Sequence, residues 1–373
     1  MQMKLMSLMV MTLFLFVMVF CNESLGSDNN SEIMCEEMII PVKLKAKSFS
    51  KYNVAGTLCR ENALDGKALY VLISGSTYGP VYWDFPIQAD TYSFVRAAVK
   101  AGYATFNLSR IGIGESDHPF GLLIDVDSNA YVVHQVIKYL NDEVFGELSL
   151  GSVMTVGHSV GSLITVAHAI QFPQDVDGVI LTGFIHNVNP DYIPAIREAS
   201  YLAFSDPRFT DKRYDFTYLT SKPGSREIFY CMDQADPDII TVDESTKETT
   251  TLGEVISTMK YFGEKSLQIK VPVLQVIGDE DIVGCGGEVD CHDHNAVIAN
   301  EQQYFSDAAC VETHVVENTG HNLNLHPNAL SSYQTMLDWS AKRVGAGAEV
   351  PPTEPCKDAG RSELINLSTK EGA

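Results

Sequence analysis

The chain has 373 residues, 45% of them hydrophobic and 20% charged, with a formal net charge of −22. That length suits one large α/β domain carrying an insertion, or two ordinary domains, and the composition is that of a globular protein and not a disordered one. The acidic balance argues against nucleic acid and against an anionic membrane surface as partners; it does not identify a substrate.

Residues 1–26 read as a signal peptide: Lys4 supplies a positive start, Leu5 to Phe20 an apolar stretch short for a membrane span, and Ser24-Leu25-Gly26 a small-residue cleavage site, with Val19-Phe20-Cys21 as the alternative. No later stretch is long and apolar enough to cross a membrane, so no membrane partner is expected once the signal is removed. A signal implies an oxidising compartment and hence secretion. Without Cys21 seven cysteines remain, an odd number that leaves one thiol free or paired outside the chain. Cys285 with Cys291 is the first expected disulfide and Cys35 with Cys59 the second. Asn22, Asn29, Asn107 and Asn366 open N-x-S sequons; Asn29 and Asn366 are the expected glycan carriers, Asn107 is not.

Residues 27–37 are polar and expected to be loose. Ile39–Lys45 and Asn53–Arg60 then alternate apolar and polar residues, an antiparallel pair. Ala68–Ile73 is wholly apolar, a central parallel strand, followed by the Gly-rich loop Ser74–Pro80. A helix is expected from Ala89 to Ala101, a strand over Tyr103–Leu108, and a helix capped by Asp127 or Ser128 with Val132, Val133, Val136, Ile137 and Leu140 on one face. Val153–Val156 is a buried strand and Val160 to Ile170 a helix. Val179–Thr182 is another strand. Here the strand–helix alternation stops, and from 186 to 264 scattered aromatics replace it. We read that stretch as a helical cap inserted over the carboxyl edge of the sheet. Afterwards come a strand at Pro272–Ile277, a helix over 293–306, a strand at Val311–Val316 and a helix from Pro327 to Arg343. Residues 344–373 are expected to be a disordered tail. The whole predicts an α/β fold with a mostly parallel, doubly wound sheet over residues 38–343.

Gly157-His158-Ser159-Val160-Gly161 lies between strand and helix. A serine at such a turn projects its hydroxyl above the sheet, and the crowding demands small residues two before and two after it. The hydroxyl is a weak nucleophile until a base, oriented by an anion, takes its proton. In the order found in hydrolases the acid follows and the histidine comes last. Asp281, after the strand 272–277, is the expected acid; Asp279 is the rival and Asp191 a more distant one. His321, in the turn after the last strand, is the expected base, and His326 a structural histidine at the following helix start. The oxyanion donors are the N–H groups of Val160 and of Ser76, with Thr77 the alternative to Ser76. Tyr78, Tyr82 and Trp83 stand where they would wall a substrate pocket, plain packing being the alternative. Cys285, Cys291, His292, Asp293 and His294 match no common zinc spacing, so neither metal nor cofactor is expected.

Ser74-Gly75-Ser76, Gly157-His-Ser-Val-Gly161, Gly278-x-x-Asp281 and Gly320-His321, in this order, resemble the α/β-hydrolase superfamily over about residues 38–343. Within it, Val81-Tyr-Trp-Asp-Phe-Pro86 and Gly320-His-Asn-Leu-Asn-Leu-His-Pro327 are similar to bacterial and fungal hydrolases of the AB-hydrolase-1 type. The oxyanion loop of that superfamily usually begins His-Gly; here Ser74 stands in the histidine's place. The expectation is a secreted serine hydrolase cleaving an ester or lactone of a medium-sized, partly apolar small molecule. Amide cleavage on the same triad, or a non-catalytic ligand-binding protein of this fold, are the alternatives. An epoxide or haloalkane hydrolase would need a carboxylate at position 159.

Overall fold

A computed structural model of the chain describes residues 33–61, 66–146, 150–347 and 350–356. The expected signal peptide, the sequons at Asn22, Asn29 and Asn366, and the end of the tail lie outside them. Six strands precede an insertion: β1 (Met34–Val42), β2 (Tyr52–Arg60), β3 (Leu69–Ile73), β4 (Ala104–Leu108), β5 (Val153–His158) and β6 (Gly178–Thr182). The short β7 (Ser200–Leu202), β8 (Tyr218–Ser221) and β9 (Thr250–Thr251) lie within it, and β10 (Val273–Gly278) and β11 (Glu312–Val316) follow. The main sheet runs β1-β2-β4-β3-β5-β6-β10-β11, antiparallel at β1–β2 and β2–β4 and parallel elsewhere.

Why the central strands are continuous apolar runs is plain from β3. Leu69, Val71 and Ile73 enter the core on one face and Tyr70 and Leu72 the core on the other, all fully buried. A strand covered on both faces has no polar side to show, and each such aliphatic side chain contributes about 1.5–3 kcal/mol by leaving water. The helices are α1 (Ala89–Tyr92), α2 (Phe94–Lys100), α3 (Val126–Tyr139), α4 (Val160–Gln171), α5 (Tyr192–Ala199), α6 (Pro237–Ser245), α7 (Leu252–Thr258), α8 (His294–Glu301) and α9 (Ala329–Arg343). Val132, Val133 and Val136 of α3 and Leu163 and Ile164 of α4 cover one face. Phe94 and Val95 of α2 and Tyr333, Met336 and Trp339 of α9 cover the other. This is the three-layer arrangement expected.

Several boundaries differ from the sequence expectation. The helix expected over 89–101 is broken at Ser93, whose hydroxyl accepts from Arg96 N (3.0 Å) and donates to Asp84 Oδ1 (2.7 Å), so it starts a new helix as its cap. Asp125, and not Asp127 or Ser128, caps α3: its carboxylate accepts from Ser128 N (2.6 Å) while Asp125 N donates to Ser128 Oγ (2.8 Å), a reciprocal pair. The stretch expected to be loose up to residue 37 already pairs from Met34 onward, with Cys35 bridged to Cys59. The tail is also ordered at its start: Glu354 N donates to Lys342 O (2.8 Å), and Cys356 is bridged to Cys310. In both places the ordering partners are distant in sequence, so local composition misread them.

Cys285–Cys291 is bridged as expected, which takes both sulfurs of the zinc alternative, and among the described residues Cys231 is the free thiol. Asn107 is buried with its amide donated to Pro80 O (2.9 Å). The insertion between β6 and β10 is not purely helical. Besides α5, α6 and α7 it contains the antiparallel sheet β7-β8-β9.

Candidate active site

Three turns at the carboxyl edge of the parallel strands bring the predicted residues together. The first joins β5 to α4. Ser159 has φ 55° and ψ −119°, a conformation side-chain-bearing residues adopt only when their surroundings enforce it. The enforcement is steric and hydrogen-bonded. Ser159 N donates to Thr182 O (2.8 Å) on β6. A methyl on Gly157 would collide with the carbonyl of Gly161, and one on Gly161 with the carbonyl of Ile73 at the end of β3. The turn therefore admits only glycine at both places. Val160 is the first residue of α4, so its N–H has no acceptor within the helix.

The second turn follows β10. Asp281 is fully buried; its Oδ1 accepts from Val283 N (2.7 Å) and Gly284 N (3.3 Å), and its Oδ2 lies 2.8 Å from His321 Nδ1. The third turn follows β11 and carries His321, which is only 2% exposed. With Nδ1 committed to Asp281, Nε2 is the ring nitrogen left for proton transfer. The rival Asp279 turns away to accept from Thr319 N (3.1 Å), and Asp191 is exposed at the start of α5. No hydrogen bond joins the Ser159 hydroxyl to His321; such a bond commonly tightens only when substrate is held.

His158 occupies the space between the elements. Its ring stacks on Tyr82 (4.2 Å between centroids) and lies 4.8 Å from the ring of His321. A methyl on Gly183 would stand 3.0 Å from atoms of both imidazoles, and one on Gly75 would stand 3.0 Å from Ser159 Cβ and 3.1 Å from His158 Cδ2. Burial, and after it the neighbouring His321, hold the His158 pKa well below the usual histidine range, so it stays neutral. His326 secures the third turn, in the structural role expected of it. Its Nδ1 donates to Asn322 O (2.8 Å), and its Nε2 accepts from both Gly320 N (3.1 Å) and Cys231 N (3.0 Å).

A cavity of about 480 Å³ opens over Ser159 beneath the insertion. Ser76, Thr77 and Val160 border it beside the serine, and Leu163, Phe184, Ile196, Leu219 and Phe262 give it apolar walls. Arg197 is the only charged lining residue among those described, and none is a carboxylate. A smaller cavity of about 240 Å³, between Arg226 and Ile240, contains none of the predicted residues.

Tyr78 and Trp83 do not wall the cavity. Tyr78 is buried behind the loop, donating its hydroxyl to Asn322 Oδ1 (2.7 Å) with the Arg226 guanidinium 3.9 Å over its ring. Trp83 is enclosed between Tyr82 and Phe94. An aromatic run after a strand reads alike whether it lines or packs, and here it packs. Sequence reasoning also missed the cap's contribution, Tyr192 and Arg197 among it, because that segment has no periodicity to read. It also did not single out Arg110, which is buried just after β4 with its guanidinium donated to Gly75 O (3.0 Å).

An eight-stranded, mostly parallel sheet carrying a serine at a strained strand–helix turn defines an α/β-hydrolase, and the protein is an enzyme of that class. A family model described as serine aminopeptidase, S33 (Hydrolase_4), matches residues 90–323, more than half of the chain, and the chain belongs to that family. Among solved structures it is similar to a thermophilic esterase from Thermogutta terrifontis, at 13% identity, covering 81% of this chain and 97% of that one, with a TM-score of 0.56. An esterase from Exiguobacterium antarcticum gives 16% identity, 81% and 99% coverage and a TM-score of 0.55. A monoacylglycerol lipase from Paleococcus ferrophilus gives 13%, 77% and 97%, and 0.50. At such identities the likeness is one of fold. No curated protein matches the chain in sequence.

Proposed function

We propose that the protein is a secreted serine hydrolase cleaving an ester or lactone of a medium-sized, partly apolar small molecule, without a cofactor. Ser159 Oγ attacks the carbonyl carbon as His321 Nε2 takes its proton, and Asp281 holds the imidazole in the tautomer that leaves Nε2 free to do so. The developing oxyanion is received by the N–H groups of Ser76 and Val160. His321 then gives the proton to the leaving alcohol, and water, activated by the same imidazole, hydrolyses the acyl-enzyme. The observation that carries this reading is the buried Asp281–His321 pair, 2.8 Å apart, whose imidazole lies 4.8 Å from the ring of His158, the neighbour of a serine that opens into an apolar cavity. The three disulfides, Cys35–Cys59, Cys285–Cys291 and Cys310–Cys356, support an oxidising compartment.

The family's description favours a second reading, cleavage of an amide next to a free amino terminus. Holding an ammonium group in an apolar cavity calls for an anionic partner. The lining residues offer none and present Arg197 instead, which supports the ester. The test is fluorophosphonate labelling together with a panel of aryl esters and aminoacyl anilides. Labelling of the wild-type protein, none of Ser159→Ala, and turnover of esters over anilides are expected; an unlabelled wild type, or a labelled Ser159→Ala, refutes the reading.

A further inference from the structure

The loop Ser74–Tyr78 passes directly over the nucleophile, yet it lacks the histidine that usually begins it. Ser74 ties the loop only to itself, through Ser74 Oγ donating to Tyr78 O (2.9 Å) and Tyr78 N donating to Gly75 O (3.2 Å). What grips it from outside is a pair of arginine side chains, together with one backbone N–H of the insertion. Gly75 O accepts from Arg110 Nη2 (3.0 Å). Thr77 O accepts from Arg226 Nη1 (3.3 Å) and from Glu248 N (2.9 Å), and Thr77 Oγ1 accepts from Arg226 Nη1 (3.3 Å) as well. The two held carbonyls are those on either side of Ser76.

Both guanidinium groups are buried, and each is neutralised by a carboxylate from the insertion. Arg110 pairs with Glu254 in the first turn of α7, and Arg226 Nη2 lies 2.8 Å from Asp243 Oδ1 of α6. The carboxylates are themselves fixed. Glu254 accepts from Thr251 N (2.9 Å) and Asn129 Nδ2 (3.2 Å), and Asp243 from Tyr230 Oη (2.8 Å). Stability is a poor reason for this arrangement. Buried ion pairs return little net free energy, and the Nε of each arginine lacks a partner among the described residues. The geometry offers a better one. A trans peptide is planar, with C=O and N–H pointing in opposite directions, so anchoring Gly75 O fixes the direction of the Ser76 N–H.

We infer that the insertion sets the oxyanion hole: Arg110 with Glu254 is a positioning residue that locks the Ser76 peptide in its donating orientation through Gly75 O, and Arg226 with Asp243 is one that pins the far end of the loop through Thr77, so that Ser76 is held from both sides. This rests on the acyl-transfer reading above. The insertion is then a structural part of the catalytic loop as well as the roof of the cavity, and the anchors take over the support usually given by the missing histidine.

The experiment compares wild type with Arg110→Lys, Arg226→Lys and the double variant Arg226→Met/Asp243→Asn, which leaves no unpaired carboxylate. It reads kcat and KM on p-nitrophenyl butyrate, the affinity for a trifluoromethyl ketone that forms a tetrahedral adduct, and the melting temperature. Losing one oxyanion donor typically lowers kcat by about 10²–10³-fold. A kcat loss of that order in the double variant is expected, with KM changed less than about threefold and ketone affinity falling in parallel with kcat/KM. Should the double variant not fold, the two lysine variants decide, since each keeps its charge but changes the donor geometry. Folded variants with kcat within about threefold of wild type, or with the loss confined to KM, overturn the inference. A wild type inert toward both ester and ketone overturns the hydrolase reading instead.

Discussion

Among the described residues Asp281 and His321 form one of two carboxylate–imidazole pairs in which both partners are fully buried, and the comparison shows what makes a site. In the other, Ser266 Oγ lies 2.9 Å from His186 Nε2, and His186 Nδ1 lies 2.7 Å from Glu301 Oε2. The hydrogen-bond chain reads serine–histidine–acid, but all three side chains are buried, the imidazole stacks on Tyr304, and Ser266 lines neither of the two cavities described above. The two should respond in opposite ways. Asp281→Asn is expected to lower kcat on an ester by about 10³–10⁴-fold through the wrong imidazole tautomer, with little change in melting. Ser266→Ala is expected to leave kcat unchanged while costing about 1–3 kcal/mol of stability in urea titration. Loss of ester hydrolysis in Ser266→Ala would mean the wrong chain had been assigned.

The histidines also predict a pH dependence. His326 is held below the ordinary histidine range by burial, and His158 by burial and the nearby His321. An imidazole with a lower pKa folded than unfolded binds more protons when the chain unfolds, so it favours the folded state only while both forms are neutral. Stability is therefore expected to be full above about pH 6.5, the unfolded value, and to decline as pH falls below it. His326→Gln keeps an acceptor for Gly320 N and Cys231 N but does not titrate. Melting curves of that variant between pH 7.5 and about 5 should show a shallower decline than wild type; an identical slope would remove His326 from the explanation.

At the scale of elements, the site depends on how tightly the β5–α4 turn seats against the end of β3. Gly161 abuts the Ile73 carbonyl, and Gly157 abuts Gly161 across the turn. Gly161→Ala has backbone on the opposing side and no flexible side chain to give way. It is expected to cost more than about 3 kcal/mol, or to prevent folding, where an alanine at an exposed helix position would change stability by less than about 0.5 kcal/mol. Chemical denaturation of the two variants decides. The insertion belongs at this scale too. Strand β8 and helix α7 give the cavity wall Leu219 and Val255, and α6 and α7 carry the carboxylates paired with the arginines at the loop over Ser159.

For the molecule as a whole, disulfides fasten the margins of a sheet whose centre is already well buried. Cys35–Cys59 ties the antiparallel hairpin at one edge, and Cys310–Cys356 ties the segment after α9 to the loop before β11, at the other. Replacing Cys35 and Cys59 by alanine is expected to cost about 2–4 kcal/mol by freeing the unfolded chain, with kcat retained because neither sulfur approaches the site. Urea titration alongside an ester assay checks both halves of that expectation.

The parallel sheet, the strained turn at Ser159 and the meeting of Asp281 with His321 were legible in the chain because each rests on local regularities. Apolar runs such as Ala68–Ile73 mark strands buried on both faces. The glycines flanking Ser159 mark a turn with no room for a side chain, and a carboxylate and a histidine after late strands follow the topology. The contacts between distant segments were not legible. Nothing around Arg226 or Asp243 in the sequence announces that they meet above residue 77, and Tyr78 and Trp83 read as well for a pocket wall as for a core. Local sequence dictates backbone path and the periodicity of burial; which buried charge meets which carbonyl is decided only when the insertion folds down and excludes water from both.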